Sequence, residues 1–292
     1  MMVVRGYARL AVDSSAPLVA YLSEESAASL RAPLLRMDRL CGLAVVVTNR
    51  LLTTQPELRQ EVSGDEVAIV VGSAHGCHKT DEEYFRSFLQ GQPSPRLFAY
   101  TLPSSPGGEL SILYRLRGPG LTVCMGQTSG LAALAEAELL LMTRQAAACL
   151  VVAVEVAEPV LSASPVQDAA VALWLTREDV PTQPGLADLS PVAESFVGGQ
   201  GDRALGRVLR SLTAAEDARV LCDEGSAQLG ALALHGRRRE VVAVPGGAVS
   251  GLWLLGSALA DGETPAVCVS VDAAGHAAAV RIECRPSACL RL

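Results

Sequence analysis

The chain has few side chains suited to nucleophilic, acid–base or metal chemistry: four histidines, eight cysteines and one glutamine placed where a nucleophile commonly sits. His75-Gly76-Cys77-His78 gathers three metal-ligating side chains in one short loop. No distant Asp, His or Cys pair evidently completes a tetrahedral set, so the segment reads as a connecting loop with exposed histidines, and no metal is expected. His235 and His276 fit a helix end and a terminal glycine-rich turn after Gly275. The cysteines, at 41, 77, 124, 149, 222, 268, 284 and 289, show no CxxC spacing and lie mostly in apolar runs. They read as reduced core cysteines.

The glutamine lies in residues 117–137, which read as turn, strand and helix. Gly118-Pro119-Gly120 is turn chemistry, residues 121–125 form a short apolar run, and Leu131, Leu134, Ala135, Leu139 and Met142 recur at helical spacing. A sharp corner is therefore predicted near Gly126-Gln127-Thr128. The first N–H groups of a helix are unpaired and its dipole end is positive, which makes such a corner an anion site and a favourable seat for a nucleophile. Gln127 occupies it, and a neutral carboxamide donates and accepts hydrogen bonds without attacking an acyl carbonyl. The pattern is a nucleophile elbow lacking its nucleophile. Cys124, three residues earlier, is the alternative thiol. Placed inside the predicted strand it is expected to be buried, with no helix terminus to lower its pKa.

The elements that must position this corner belong to a large α/β fold. The 292 residues are half apolar, with few aromatics and many Ala, Leu, Val and Gly, which suits helices packed closely on sheets. A formal charge of −7 argues against nucleic acid as a partner. The one basic cluster, Arg237-Arg238-Arg239, reads as a solvated turn. No signal peptide is recognised and no apolar run approaches the ~20 residues of a membrane span, so a cytoplasmic protein without membrane contact is expected.

In chain order, residues 3–12 read as a strand, and Arg36-Met37-Asp38-Arg39 opens a helix toward Leu52. Residues 66–72 and 148–156 are continuous apolar strands, as in a parallel sheet covered on both faces. Thr80-Asp81-Glu82-Glu83 starts a helix with a capping box from Thr80 to Glu83, followed by Tyr84, Phe85 and Phe88. Residues 168–175 form another strand, and 178–196 are loop-like. A second, shorter unit follows: helix 203–212, strand 219–222, helix 227–235, strand 241–244, helix 250–260 and two final strands. No internal repeat shows at the residue level.

The run Ser94-Pro95-Arg96-Leu97-Phe98, then Thr101-Leu102-Pro103-Ser104, Gly108, Leu116-Arg117-Gly118-Pro119 and the elbow resembles the N-terminal half of β-ketoacyl synthases. The resemblance is specific over residues 37–178. It implies a thiolase-like, layered αβαβα fold of two similar halves, here residues 1–178 and a shortened 179–292. In that family the Gln127 position carries the acyl-accepting cysteine, and glutamine there marks the chain length factors, non-catalytic partners of ketosynthases in type II polyketide assembly.

The family's two catalytic histidines are missing as well. The first should follow the strand ending near Leu221, where Cys222-Asp223-Glu224-Gly225-Ser226 puts Asp223 or Glu224 at its position. The second should lie in Val244-Pro245-Gly246-Gly247-Ala248-Val249-Ser250-Gly251, which has no histidine. Decarboxylation needs such groups to stabilise the enolate oxygen, and an acid would repel it. His276 falls where the family has a glycine-rich loop beside the active site.

The resemblance therefore implies a subunit without catalytic residues or bound cofactor, paired with a catalytic ketosynthase and visited by an acyl carrier protein bearing phosphopantetheine. Leu97, Phe98, Leu102, Phe85 and Phe88 become candidates for the acyl tunnel and dimer seam, with Leu121, Val123 and Met125 on the strand that pairs across the two-fold axis. An aryl polyene-type pathway is one setting the resemblance suggests. The alternatives are a degenerate homodimeric scaffold or carrier-binding module, and a malonyl-carrier-protein decarboxylase, although the family's glutamine-bearing decarboxylases keep their histidines.

Overall fold

The computed structural model describes residues 1–157, 167–180, 184–212, 218–230, 233, 238–263 and 265–285. Its first half contains β1 (Met2–Val12), α1 (Glu24–Leu34), α2 (Arg39–Thr54), α3 (Leu58–Glu61), β2 (Val67–Gly72), α4 (His78–Leu89), α5 (Pro95–Phe98), α6 (Ser105–Tyr114), β3 (Gly120–Val123), α7 (Ser129–Met142), β4 (Ala148–Glu155) and β5 (Asp168–Arg177). The second contains β6 (Ala187–Leu189), β7 (Ala193–Phe196), α8 (Gly201–Ser211), β8 (Arg219–Cys222), α9 (Glu224–Leu229), β9 (Arg239–Val241), α10 (Val249–Asp261), β10 (Ala266–Val271) and β11 (His276–Cys284).

The strands follow one plan twice. The first set is ordered β3-β2-β4-β5-β1 and the second β9-β8-β10-β11-β7, so within each set the order is third, second, fourth, fifth, first. β2 is parallel to β3 and β4, as β8 is to β9 and β10. β5 runs antiparallel to β4 and β1, as β11 does to β10 and β7. The duplication that leaves no trace in residue identity is thus plain in topology. Short β6 pairs with both β1 and β11 and joins the sets into one 11-stranded sheet.

Strand periodicity distributes side chains between layers. In β4, Cys149, Val151 and Ala153 face an inner core shared with α7, α10 and residues of the second set such as Leu221, Cys268 and Val280. Leu150, Val152 and Val154 face an outer core under α2 and α6. A third cluster packs α8 on the far face of β8, β10 and β11. The result is the expected αβαβα stack, with α7 and α10 as its central layer. Gly130 lets these helices meet, since a Cβ there would lie 2.3 Å from the Ala248 carbonyl oxygen.

Several local expectations change. Helices α1 and α6 were not predicted; α1 contains Pro33, and α6 carries Pro106, Gly107 and Gly108, which mask helical character in sequence. The Thr80 capping box does not form. Helix α4 begins two residues earlier, at His78, and the buried Thr80 hydroxyl donates to Asp38 Oδ2 at 2.8 Å. Asp38 also caps α2, accepting from the Cys41 N–H. The stretch read as loop contains β6 and β7, whose three and four residues are too short for a periodic signal. Helix α9 lies earlier than expected, β9 is shifted to Arg239–Val241, and His235, Arg237 and Cys289 lie outside the described residues.

Candidate functional site

The corner forms where the sequence places it. Edge strand β3 ends at Val123, Gly126 turns the chain with φ 60°, and α7 starts at Ser129. Glycine is required twice over at 126: its φ is left-handed, and a Cβ would sit 3.0 Å from Asp272 Oδ2. The buried Ser129 hydroxyl locks the turn by accepting from the Met125 N–H (2.8 Å) and donating to the Gly126 carbonyl (2.6 Å), while the Thr128 hydroxyl donates to the Met125 carbonyl (2.9 Å).

Gln127 is exposed at the tip of this turn. Its carbonyl accepts from the Ser270 hydroxyl at 3.2 Å. Its side-chain Oε1 lies 3.8 Å from the point where Gly225 would carry a Cβ. The tertiary fold therefore brings the elbow against the segment that should hold the first histidine. There Asp223 is buried and spent as a helix cap, accepting from the Ser226 N–H at 2.6 Å, while Glu224 is the exposed first residue of α9. The second segment enters α10 through Gly246 and Gly247, both at positive φ.

Two carboxylates that the sequence does not single out organise the surroundings. Glu155, 1% exposed at the end of β4, accepts from the N–H of Ala74 (2.8 Å) and of Ala248 (3.3 Å), and its Oε1 is 3.0 Å from His75 Nδ1. The only clue in sequence is an acid ending a wholly apolar run. Asp272 accepts from the N–H of Gly275 and His276, both at 3.0 Å, and lies 3.1 Å from His276 Nδ1. The His276 ring stacks on Phe196 with centroids 4.5 Å apart. His75, in the loop after β2, and His276, at the start of β11, are thus each held by a carboxylate. Among the described residues no group of three or more His, Cys, Asp and Glu could hold a metal.

Cys124 is not buried as expected but exposed, one residue past the end of β3, which lies at the edge of the sheet and is itself partly exposed. Partial desolvation, and then the charge of Glu155, raise its thiol above the ordinary cysteine value, so it gains accessibility without thiolate character. Cys77 is buried, and burial followed by its bond to Asp81 pushes its thiol up to about 12.

The remaining candidates lie on the face beside the corner. Phe85 and Phe88 on α4, Phe98 at the end of α5, and Leu102 are each about 60% exposed, and Leu97 is half-buried. Tyr84 and Phe98, with ring centroids 5.4 Å apart, tie α4 to α5. Leu121 and Met125 are exposed and Val123 half-buried. Among the described residues β3 has a single strand neighbour, β2, and its outer edge is unpaired. No helix among the described residues is long and apolar enough to cross a membrane.

A duplicated five-layer fold with this corner at its centre belongs to a known class. The chain is a member of the β-ketoacyl synthase family: the profile of the Beta-ketoacyl synthase, N-terminal domain matches residues 23–172. Among solved structures it is similar to the ishigamide ketosynthase/chain length factor, with 19% identity and TM-score 0.74 over 97% of this chain and 99% of that one. It is also similar to AntDE:AntF, a type II PKS acyl-carrier protein in complex with its ketosynthase (15% identity, TM-score 0.74, 97% and 99% covered). A third is the ketosynthase ApeO in complex with its chain length factor ApeC from Xenorhabdus doucetiae (14% identity, TM-score 0.71, 97% and 98% covered). No curated protein matches the chain at a significant level. At these identities the solved structures establish a shared fold.

Proposed function

We propose that this chain is a chain-length-factor-like subunit without condensing activity, which pairs with a catalytic β-ketoacyl synthase and shapes its acyl tunnel in type II polyketide or aryl polyene-type biosynthesis. The observation that carries the reading is Gln127 at the tip of an intact nucleophile corner. The turn, its glycine and its serine lock are in place, while a carboxamide stands where condensation needs a nucleophile. The loops that would supply histidines hold a capping Asp223 and a pair of glycines instead.

Pairing is supported by the open edge of β3 with Leu121 and Met125 exposed, next to the exposed Phe85, Phe88, Phe98 and Leu102. The partner subunit brings the cysteine and histidines, and the acyl carrier protein brings the phosphopantetheine-linked chain. Ketosynthase–chain length factor assemblies among the similar structures favour the same reading. The test is co-expression with a catalytic ketosynthase of the same organism, followed by size-exclusion chromatography with light scattering. A one-to-one complex is expected. A homodimer indifferent to the ketosynthase overturns the reading in favour of a scaffold, and release of carbon dioxide from malonyl carrier protein by the isolated chain overturns it in favour of a decarboxylase.

A further inference from the structure

Three buried carboxylates from three different elements surround the exposed Gln127 corner. Asp272 follows β10, and its Oδ2 lies 3.0 Å from the point where Gly126 would carry a Cβ. Asp223 caps α9; its Oδ1 lies 3.5 Å, and Gln127 Oε1 3.8 Å, from the corresponding point on Gly225, so the two oxygens are neighbours across that glycine. Glu155 ends β4, and after burial its charge is the next cause that raises the Cys124 thiol. Glu224 adds an exposed acid to the same segment as Asp223.

No arginine or lysine among the described residues is ion-paired with Asp223, Asp272 or Glu155. Their one kind of ion-pair partner there is imidazole, His75 on Glu155 and His276 on Asp272, which is cationic only when protonated. Backbone N–H groups fix each carboxylate in place: Gly275 and His276 for Asp272, Ser226 for Asp223, Ala74 and Ala248 for Glu155. Such bonds supply directed donors but no net charge.

The start of the fourteen-residue α7 opposes this negative field. An open helix N-terminus favours anions, yet it is worth only about half an elementary charge, whereas each carboxylate carries a full one. The carboxylates therefore outweigh the helix, and the side chain standing among them, Gln127, is neutral.

We propose that Asp223, Asp272 and Glu155 set the selectivity of this corner: they override the anion preference of the α7 terminus, so that the corner admits uncharged groups, such as a carbonyl-bearing chain, and turns away carboxylates, such as a malonyl unit. What this means for an acyl chain rests on the function proposed above; the charge selectivity itself does not.

The test places a reporter thiol in the full chain, Gln127→Cys in a Cys124→Ser background, and compares its alkylation by neutral iodoacetamide and anionic iodoacetate at low ionic strength, read on the peptide containing position 127 by mass spectrometry. Both reagents attack the same thiolate, so the ratio of their rates cancels the thiolate fraction and reports the charge met by the incoming reagent. The folded chain is expected to prefer iodoacetamide by about fivefold or more beyond the preference of the urea-unfolded chain, and added salt should reduce that excess. Asp223→Asn/Asp272→Asn keeps an oxygen acceptor at both positions, and asparagine is a good helix cap, so the change removes charge with little loss of structure; it should cut the excess about threefold or more. Asp272→Asn alone should move the ratio in the same direction, and thermal unfolding verifies that both variants remain folded. Equal ratios in the folded and unfolded chain, a folded chain that favours iodoacetate as an open helix terminus would, or a ratio unmoved by both variants would each overturn the proposal. No ketosynthase takes part, so the pairing proposed above stands or falls separately.

Discussion

Replacing Glu155 with leucine tests how the corner's surroundings are held. The carboxylate ends β4, and its two backbone donors come from the loop after β2 and from the residue that leads into α10. Leucine is one atom shorter, fills most of the space and removes the acceptor oxygens. The Ala248 N–H is then stranded in a fully buried position, while the Ala74 N–H, half-buried, is partly rescued by water. Two hydrogen bonds to a charged acceptor are worth about 1.5–3 kcal/mol each, and relief of the carboxylate's desolvation returns an amount comparable to one of them. The net loss is therefore about 1.5–3 kcal/mol, which for a chain of this size lowers the thermal midpoint by roughly 2–5 °C. The two N–H groups share one carboxylate oxygen, so Glu155→Gln can keep both as neutral hydrogen bonds and should lose about half as much. Urea unfolding followed by circular dichroism measures both variants against the parent. A leucine variant within about 0.5 kcal/mol of the parent would refute the claim that this carboxylate pins the two loops.

Three further outcomes are expected. Gly130→Ala drives a Cβ to 2.3 Å from the Ala248 carbonyl oxygen and 3.4 Å from the Ala153 Cβ, so the α7–α10 contact must open at a cost of about 2 kcal/mol or more; an unchanged denaturation midpoint would contradict that contact. Burial raises the Glu138 carboxyl above the ordinary 4.5, only partly opposed by the Val192 N–H that it accepts. The folded chain therefore binds that proton more tightly than the unfolded one. This contribution is complete below the unfolded pKa and is lost as pH rises through the folded value. Glu138→Gln should accordingly flatten the fall in melting temperature from pH 4.5 upward, and parallel profiles for variant and parent would count against the assignment. Leu121→Lys with Met125→Lys places charge on the open edge of β3 and on the turn just beyond it, and should abolish the ketosynthase complex on size-exclusion chromatography while leaving the melting temperature within about 2 °C; a complex that survives would move the interface elsewhere.

The amino-acid sequence alone determined the elements whose signals are local. Continuous Val, Ile and Ala runs announced β2 and β4 as strands buried on both faces, and the run from Arg36 to Arg39 marked the start of α2. Gly126, Gln127 and the helical spacing after them defined the corner and the absence of its nucleophile, because turn chemistry and side-chain type are properties of neighbouring residues. Only the tertiary structure decided the rest. Thr80 looks like a cap yet bonds to Asp38, forty-two positions away, and Cys124 is exposed because β3 lies at the edge of the sheet. The repeated strand order, the joining role of β6, the use of Asp223 as a cap and the gathering of Ala74, His75 and Ala248 around Glu155 all depend on contacts between residues far apart in the chain. Such contacts are selected by burial and hydrogen-bond satisfaction in the assembled layers, and those forces leave no fixed spacing along the sequence.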